Sequence, residues 1–306
     1  MSDLPAVRVS QVKAFTQCGV DFAGPISIVL HRHRGIRSQK AYICVFVCLS
    51  TKAVHLEAVS DLTSEAFLAA FRRFVARRGR CTDVYSDNGT NFVGANNLLL
   101  SYCKDSCDKL TVKWHFNPPA SPHWGGIWEL AVRSVKTHLV RVIGSQILSF
   151  EELTTLLAQI ESLLNSRPLC SLSTDPNDFS SLTPGHFLTL APLTAPPDED
   201  LSMVKSGRLN RWQFIQQLHQ HFWKRWHVEY LNTMQTREKW NTPQSLLSVG
   251  TLVVIKDSNS PPLKWPLGRV ERLYPGPDTI VRVAQVRTSK GLLDRPLVKL
   301  CPLPDQ

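Results

Sequence analysis

The sequence predicts an α/β domain joined through a helical connector to a small basic β-barrel, and three observations carry that expectation. Strand-like apolar runs alternate with segments of helical period as far as Asn165. Residues 166–206 are rich in Pro, Ser, Thr and Asp, as in Pro196-Pro197-Asp198-Glu199-Asp200, and read as loop or linker. From Val249 to Leu303 short strands are split by Gly and Pro, the pattern of a small barrel. With 306 residues the chain has room for two or three units. The boundaries that follow are an N-terminal linker over 1–15, an α/β domain over 16–192, a linker and connector helix over 193–245, and the basic module over 246–306.

The elements are read in order. Gly19–Ile26 is a short strand that breaks at Gly24-Pro25, because proline offers no N–H to a ladder. The basic stretch His31–Lys40 makes a turn, and Ala41–Leu49 forms a hairpin with Ala53–Val59. Ser64 suits an N-cap, and Phe67, Phe71, Phe74 and Val75 then recur at helical spacing up to Gly79. Arg72, Arg73, Arg77 and Arg78 share that helix, where a solvated face accounts for them. Cys81–Tyr85 is a strand that runs into Ser86-Asp87-Asn88-Gly89. A helix around Ala95–Lys104, a strand at Thr111–Phe116, a loop at Pro118–Gly126 and a long helix from Ile127 to Ile143 come next. Ser149 or Phe150 opens another helix, to Asn165. The connector helix spans Gly207 to Trp240 with Ile215, Leu218, Phe222 and Trp226 in one stripe. Trp212, Trp223, Trp226 and Trp240 on it are expected in the core before any base-stacking role. In the last module Leu252–Lys256, Arg269–Leu273 and Thr279–Arg287 are the clearest strands.

Composition excludes several classes. A chain with 43% apolar and 20% charged residues buries a core, and is neither disordered nor collagen-like. Its longest apolar run, Ala41–Leu49, is too short to cross a bilayer, and Met1–Pro5 carries no secretory leader. The expectation is a soluble intracellular protein with no membrane partner. The 8 cysteines form no CxxC pair and read as reduced, small apolar residues. Lys and Arg number 35 against 25 acids, a net charge of +10, which favours an anionic partner with nucleic acid ahead of a membrane surface.

Three acids stand at telling places: Asp21 in the first strand, Asp87 just beyond a later strand, and Glu129 in the first turn of the long helix. Asp87-Asn88-Gly89 alone is good turn chemistry, and Glu129 suits a helix N-terminus. Asp21 in an apolar strand needs a partner or a metal, since burying a lone carboxylate is costly. Hard divalent cations take such oxygen donors, and two ions about 3.5–4 Å apart can activate one oxygen and stabilise another in phosphoryl transfer. Glu129, Arg133 and Lys136 fall at i, i+4 and i+7, on one helix face that suits a phosphodiester as well as an ordinary solvated ion pair.

Taken together, Val20-Asp21-Phe22-Ala23-Gly24-Pro25, Ser86-Asp87-Asn88-Gly89-Thr90-Asn91-Phe92 and Ser121-Pro122-His123-Trp124-Gly125-Gly126-Ile127-Trp128-Glu129 resemble the three blocks of a retroviral-type integrase core. With Lys52-Ala53-Val54-His55-Leu56-Glu57 between them, the wording is closest to integrases of Pao/BEL-type LTR retrotransposons. Leu182-Thr183-Pro184-Gly185-His186-Phe187-Leu188 and the basic module extend the resemblance over nearly the whole chain. It implies a ribonuclease H-like core, a mixed sheet flanked by helices, and an SH3-like C-terminal barrel. It implies Asp21, Asp87 and Glu129 as catalytic D,D,E ligands of Mg²⁺, with Mn²⁺ as substitute, in a polynucleotidyl transferase. The reactions implied are 3′-end processing of element DNA and strand transfer into target DNA. Asn91 and the loop Pro122–Gly126 would stand beside that site, with Arg133 and Lys136 near the DNA ends.

The resemblance further implies a homo-oligomer acting in the nucleus on element ends and target duplex, with no small-molecule cofactor. Such integrases usually begin with a zinc-binding module of two His and two Cys; no such set occurs here, and Asp3–Val9 resembles the stretch that follows it. The alternative is a non-catalytic DNA- or chromatin-binding protein derived from such an element. A nuclease for RNA–DNA hybrids shares the metal chemistry but not the loop before Glu129. In the C-terminal module Arg269, Arg272, Arg282, Arg287, Lys290, Arg295 and Lys299 give a cationic surface, from which Arg269, Arg282 and Arg287 are expected to touch DNA phosphate. His219, His221 and His227 have no evident ligand partner and receive no role.

Overall fold

Strand β1 (Gln17–Val29) is the centre of a mixed sheet. It pairs antiparallel with β2 (Gln39–Cys48), which pairs antiparallel with β3 (Val54–Val59). After helix α1 (Ser64–Arg78), β4 (Asp83–Ser86) lies parallel on the other side of β1. Helix α2 (Thr90–Lys104) follows, and then β5 (Lys113–Phe116), parallel to β4. The order β3-β2-β1-β4-β5, with only the last two strands parallel to the centre, is the ribonuclease H-like arrangement. The computed structural model describes residues 13–32, 35–104, 112–117, 132–173, 175–235, 247–278 and 280–304.

The period-two pattern of β2 sends its side chains to two separate cores. Ile43, Val45 and Val47 face a layer made by α3 (residues 132–143), α4 (Phe150–Asn165) and α6 (Arg211–Met234). Cys44, Phe46 and Cys48 face α1 and α2, where Phe15, Phe67, Phe74 and Phe92 complete an aromatic core. Phe46 stacks on Phe74 with ring centroids 4.2 Å apart, and losing such a ring costs about 3–5 kcal/mol. Among the described residues the cysteines are free thiols, five of the six buried, in line with their reading as small apolar residues.

Several local expectations change. Strand β1 does not break at Gly24-Pro25 but passes through it as a bulge: its pairing jumps from Ala23↔Ile43 to Ile26↔Ala41. Gly24 sits at φ 132°, and a Cβ there would come within 3.2 Å of the Ala41 carbonyl oxygen, so the bulge needs glycine. The strand then continues until Ile28 and Val29 meet β6 (Leu148–Ser149). The N-cap of α1 is Thr63, one residue before Ser64, because the extended Thr63 hydroxyl accepts the Ala66 N–H at 3.2 Å. Helix α2 starts at Thr90, since the Phe92 and Val93 amides both find the Gly89 carbonyl. Helix α3 contains a π-turn, Val135–Leu139, that regular spacing does not foresee.

Ser149 and Glu152 form a capping box at α4, and Asn210 and Gln213 form one at α6. Glu152 also binds Arg32 and Arg211, each at 2.8 Å, tying the end of β1 to two helices. Between α4 and α6 the expected loop carries β7 (Cys170–Ser171), β8 (Ser181–Leu182), the short α5 (His186–Thr189) and a 3₁₀ turn, Ser206–Arg208. The connector α6 buries Ile215, Leu218, Phe222, Trp223 and Trp226 in the core of the sheet domain. Trp212 is 61% exposed, and Trp240 lies outside the described residues.

The C-terminal strands β9 (Leu252–Ile255), β10 (Leu267–Pro275), β11 (Val281–Thr288), β12 (Gly291–Pro296) and β13 (Leu300–Pro302) are all antiparallel in the order β12-β11-β10-β9-β13. A 3₁₀ turn, Leu297–Lys299, precedes the last strand. Among the described residues β12 and β13 do not pair, so the barrel is partly open. Trp265 bridges to α6, edge-on to Trp223, Trp226 and Tyr230, and donates to Ser166 Oγ at 3.1 Å.

Candidate active site at the β1–β4 strand ends

Parallel pairing brings two of the three acids together. The pairing runs up to Gly19 opposite Tyr85, two residues short of each acid, and the Asp87 charge is felt at Asp21. Burial raises the Asp21 pKa, and the nearby Asp87 charge adds to the rise, against the pull of Lys136 and the Phe22 amide. That amide donates to Asp21 Oδ1 at 2.6 Å, and Lys136 Nζ stands 3.6 Å from Oδ2. Lys136 belongs to the π-turn of α3, a feature that often marks functional positions.

The turn after β4 is held from several sides. Asp87 Oδ1 accepts the Gly89 amide at 3.0 Å, while Asn88 Nδ2 donates to the Asn117 carbonyl at 2.7 Å. Trp114 donates to Ser86 Oγ, which donates to the Asp87 carbonyl, both at 2.8 Å. A Cβ on Gly89 would lie 2.5 Å from Asn91 Oδ1 and 3.1 Å from Asp87 Oδ1, so a side chain there would have to displace the Asn91 amide, and both polar groups flank this glycine. Arg133 is exposed on α3 one turn before Lys136. Glu129 and the loop Pro122–Gly126 lie outside the described residues. Among the described residues no three His, Cys, Asp or Glu side chains converge as a metal cluster. Asp21 and Asp87 are a pair of hard oxygen donors whose mutual repulsion a divalent cation relieves, so they fit such an ion.

The C-terminal arginines correct an expectation. Arg269 is 9% exposed, and its guanidinium donates to the carbonyls of Gly250 at 2.8 Å and of Asp175 and Asp178 at 3.0 Å. It locks the module onto the 175–178 loop and is not free for a phosphate. Arg287 donates to Asn177 Oδ1 and the Pro176 carbonyl and covers the Phe179 ring. Arg282 is exposed and forms a two-pronged pair with Asp278.

A second polar cluster, beneath α1, has no counterpart in the sequence reading. Glu57 binds Arg73 at 2.7 Å and Arg77 at 2.8 Å, so these arginines, with Arg78 on Glu161, are partners of buried carboxylates as well as part of a solvated face, Arg77 keeping 56% of its side chain exposed. Arg72 and Arg77 are exposed, while Arg73 and Arg78 are half-buried. His55 lies between, 3.1 Å from Glu57 and 2.9 Å from Glu161. Burial would lower the His55 pKa, but its bonds to Glu161 and Glu57 outweigh burial and raise it. Glu161 also accepts the Leu56 amide, and the Asn165 side chain accepts from Val54 N–H and donates to its carbonyl. Helix α4 thereby covers the edge strand β3. The signal available was the Lys52–Glu57 segment, whose partners on α4 are about 100 residues away in sequence.

Comparison with known proteins gives one family match: the model described as "Family of unknown function (DUF5641)" covers residues 210–303, from the N-cap of α6 through β13. No curated protein matches the chain. Among solved structures, a chain of the simian T-cell lymphotropic virus intasome in complex with PP2A regulatory subunit B56 gamma is 11% identical over 99% of this chain and 84% of that one, with TM-score 0.41. The HTLV-2 integrase catalytic core domain, in complex with magnesium in a trimeric form, is 15% identical over 58% of this chain and 98% of that one, with TM-score 0.37. The BIV integrase catalytic core domain is 18% identical over 57% of this chain and 93% of that one, also with TM-score 0.37.

Proposed function

We propose that this chain is a metal-dependent polynucleotidyl transferase of the D,D,E type, with Asp21, Asp87 and Glu129 as the catalytic carboxylates. Within that class it is read as the integrase of a Pao/BEL-type LTR retrotransposon, which processes DNA 3′ ends and joins them to target DNA. The observation that supports the reading is the parallel pairing of β1 with β4 up to two residues short of Asp21 and Asp87, with the Asp87 charge felt at Asp21. The three ordered motifs support the same conclusion.

Bound Mg²⁺ supplies charge stabilisation to the phosphate under attack. Asp21 and Asp87 would hold the ion, and are themselves held by the Phe22 and Gly89 amides. Lys136 and Arg133 offer positive charge to the flanking phosphates, and Asn91 orients a polar group of the strand beside Asp87. The nucleophile is water in end processing and a DNA 3′-hydroxyl in strand transfer; in each, one P–O bond forms as another breaks. The protein acts as a homo-oligomer in the nucleus on DNA and needs no small-molecule cofactor.

A disintegration assay tests the reading. A branched DNA that mimics the integration product is incubated with Mg²⁺ or Mn²⁺. Metal-dependent resolution by the native chain, lost in Glu129→Gln, is the expected result. A folded chain that binds this DNA yet never resolves it with either metal would overturn the assignment.

A further inference from the structure

Both oxygens of Asp21 are already engaged. The Phe22 amide takes Oδ1 at 2.6 Å, and the Lys136 ammonium faces Oδ2 at 3.6 Å. A divalent ion that binds Asp21 through Oδ2 has to take that oxygen from Lys136, whose charge would otherwise stand within a few ångströms of the ion. The π-turn aims this side chain, because its extra residue resets the direction of those after Val135. Lysine suits a replaceable counter-ion, being a compact charge on a flexible four-carbon stem with no fixed fork to hold it on a carboxylate. The pair is also weakly held, with 48% of the Lys136 side chain and 27% of the Asp21 side chain exposed.

We propose that Lys136 is a placeholder for the divalent cation, an internal counter-ion that neutralises Asp21 until metal arrives and is then released toward a substrate phosphodiester. The inference rests on the D,D,E reading and deepens it. The two carboxylates repel each other, and one mobile positive charge between metal-loading events limits that repulsion without filling the site. Whatever draws Lys136 from Asp21 raises the affinity for the cation, and the cation in turn frees Lys136, since such linkage is reciprocal.

The test is Mn²⁺ binding to the full chain without DNA, read by calorimetry or electron paramagnetic resonance at fixed ionic strength. Lys136→Gln is expected to bind Mn²⁺ about three- to tenfold more tightly than the native chain, the scale of one unit charge a few ångströms away in a solvated site. Lys136→Arg keeps the charge and adds a fork that grips a carboxylate more firmly, so it is expected to bind Mn²⁺ no more tightly than the native chain. Equal or weaker binding by Lys136→Gln overturns the proposal, as does tightened binding by Lys136→Arg. Asp87→Asn separates the two levels of argument: it is expected to weaken Mn²⁺ binding. If it does not, the metal-site reading itself fails, whatever Lys136 does.

Discussion

The sheet carries two clusters of acids and cations, and they are balanced in opposite ways. Under α1, Glu57 and Glu161 face Arg73, Arg77, Arg78 and His55, so each buried carboxylate is matched and hydrogen-bonded. Where β1 runs beside the end of β4, Asp21 has Lys136 as its one cation among the described residues, with the Asp87 charge nearby. Burial of unmatched charge is prohibitive, so only the first cluster can be sealed beneath a helix. The second stays open to solvent with negative charge left over. What separates a structural cluster from a reactive one here is the balance of charge, not the types of residue present.

The sharpest way to break this comparison is to neutralise one acid of each cluster. Asp87→Asn is expected to lower metal-dependent strand resolution by more than about 10³-fold, the scale of losing a metal's transition-state stabilisation, with an unchanged melting temperature. Resolution retained in a nuclease-free preparation would remove Asp87 from the site. Glu161→Ala should do the reverse. It strands Arg78, His55 and the Leu56 amide in a buried place, which costs about 3–5 kcal/mol, read by denaturant unfolding. Mn²⁺ binding should not move, and a loss of stability under about 1 kcal/mol would make this an ordinary surface pair.

The same contrast explains what is legible in the sequence. The hairpin, the continuous apolar run of β2 and the buried stripe of α6 follow from local pattern, and the structure keeps them. Asp21 and Asp87 are legible because each sits in a short motif, the first inside β1 and the second just past β4, while their approach depends on a parallel pairing that no local pattern encodes. The α1 arginines look solvated in the sequence because their partners come from β3 and α4. Arg269 misleads in the same way, because sequence reports a cation but not the three carbonyls that surround it. The bulge at Gly24-Pro25 looks like a break because proline silences the ladder, yet an antiparallel neighbour tolerates an extra residue.

Two histidines sharpen the comparison through pH. His55 has a raised pKa, so its contribution to stability is full below about pH 6.5 and is lost as pH rises through the folded value. His219 is 4% exposed on α6 with burial alone acting on it, which holds its pKa down to about 4. Its contribution therefore has the opposite sign: present above about pH 6.5 and lost, by about 3 kcal/mol in all, as pH falls toward 4. Unfolding free energies measured across pH for His219→Leu should lose the acid-side decline, and those for His55→Gln the decline above neutral. Identical profiles in both variants and the native chain would mean that neither burial nor the Glu57–Glu161 cage sets these proton affinities.

The smallest effects compare two arginines of one β-module. Arg269→Ala leaves the Gly250, Asp175 and Asp178 carbonyls without their donor, a cost of about 1–3 kcal/mol, and should loosen the module from the 175–178 loop. Its DNA affinity should keep the native salt dependence, because this guanidinium never reached a phosphate. Arg282 is solvent-exposed, so Arg282→Ala should leave stability unchanged. If the module lies on DNA as its cationic sequence suggests, the same change should lower the slope of log affinity against log salt by about one, the loss of a single phosphate contact. Measured together by thermal melts and salt titration, the pair distinguishes an arginine that holds the protein to itself from one available to hold a nucleic acid. A salt slope that falls for Arg269→Ala and not for Arg282→Ala would reverse that assignment and put the binding face of the module where the latch now lies.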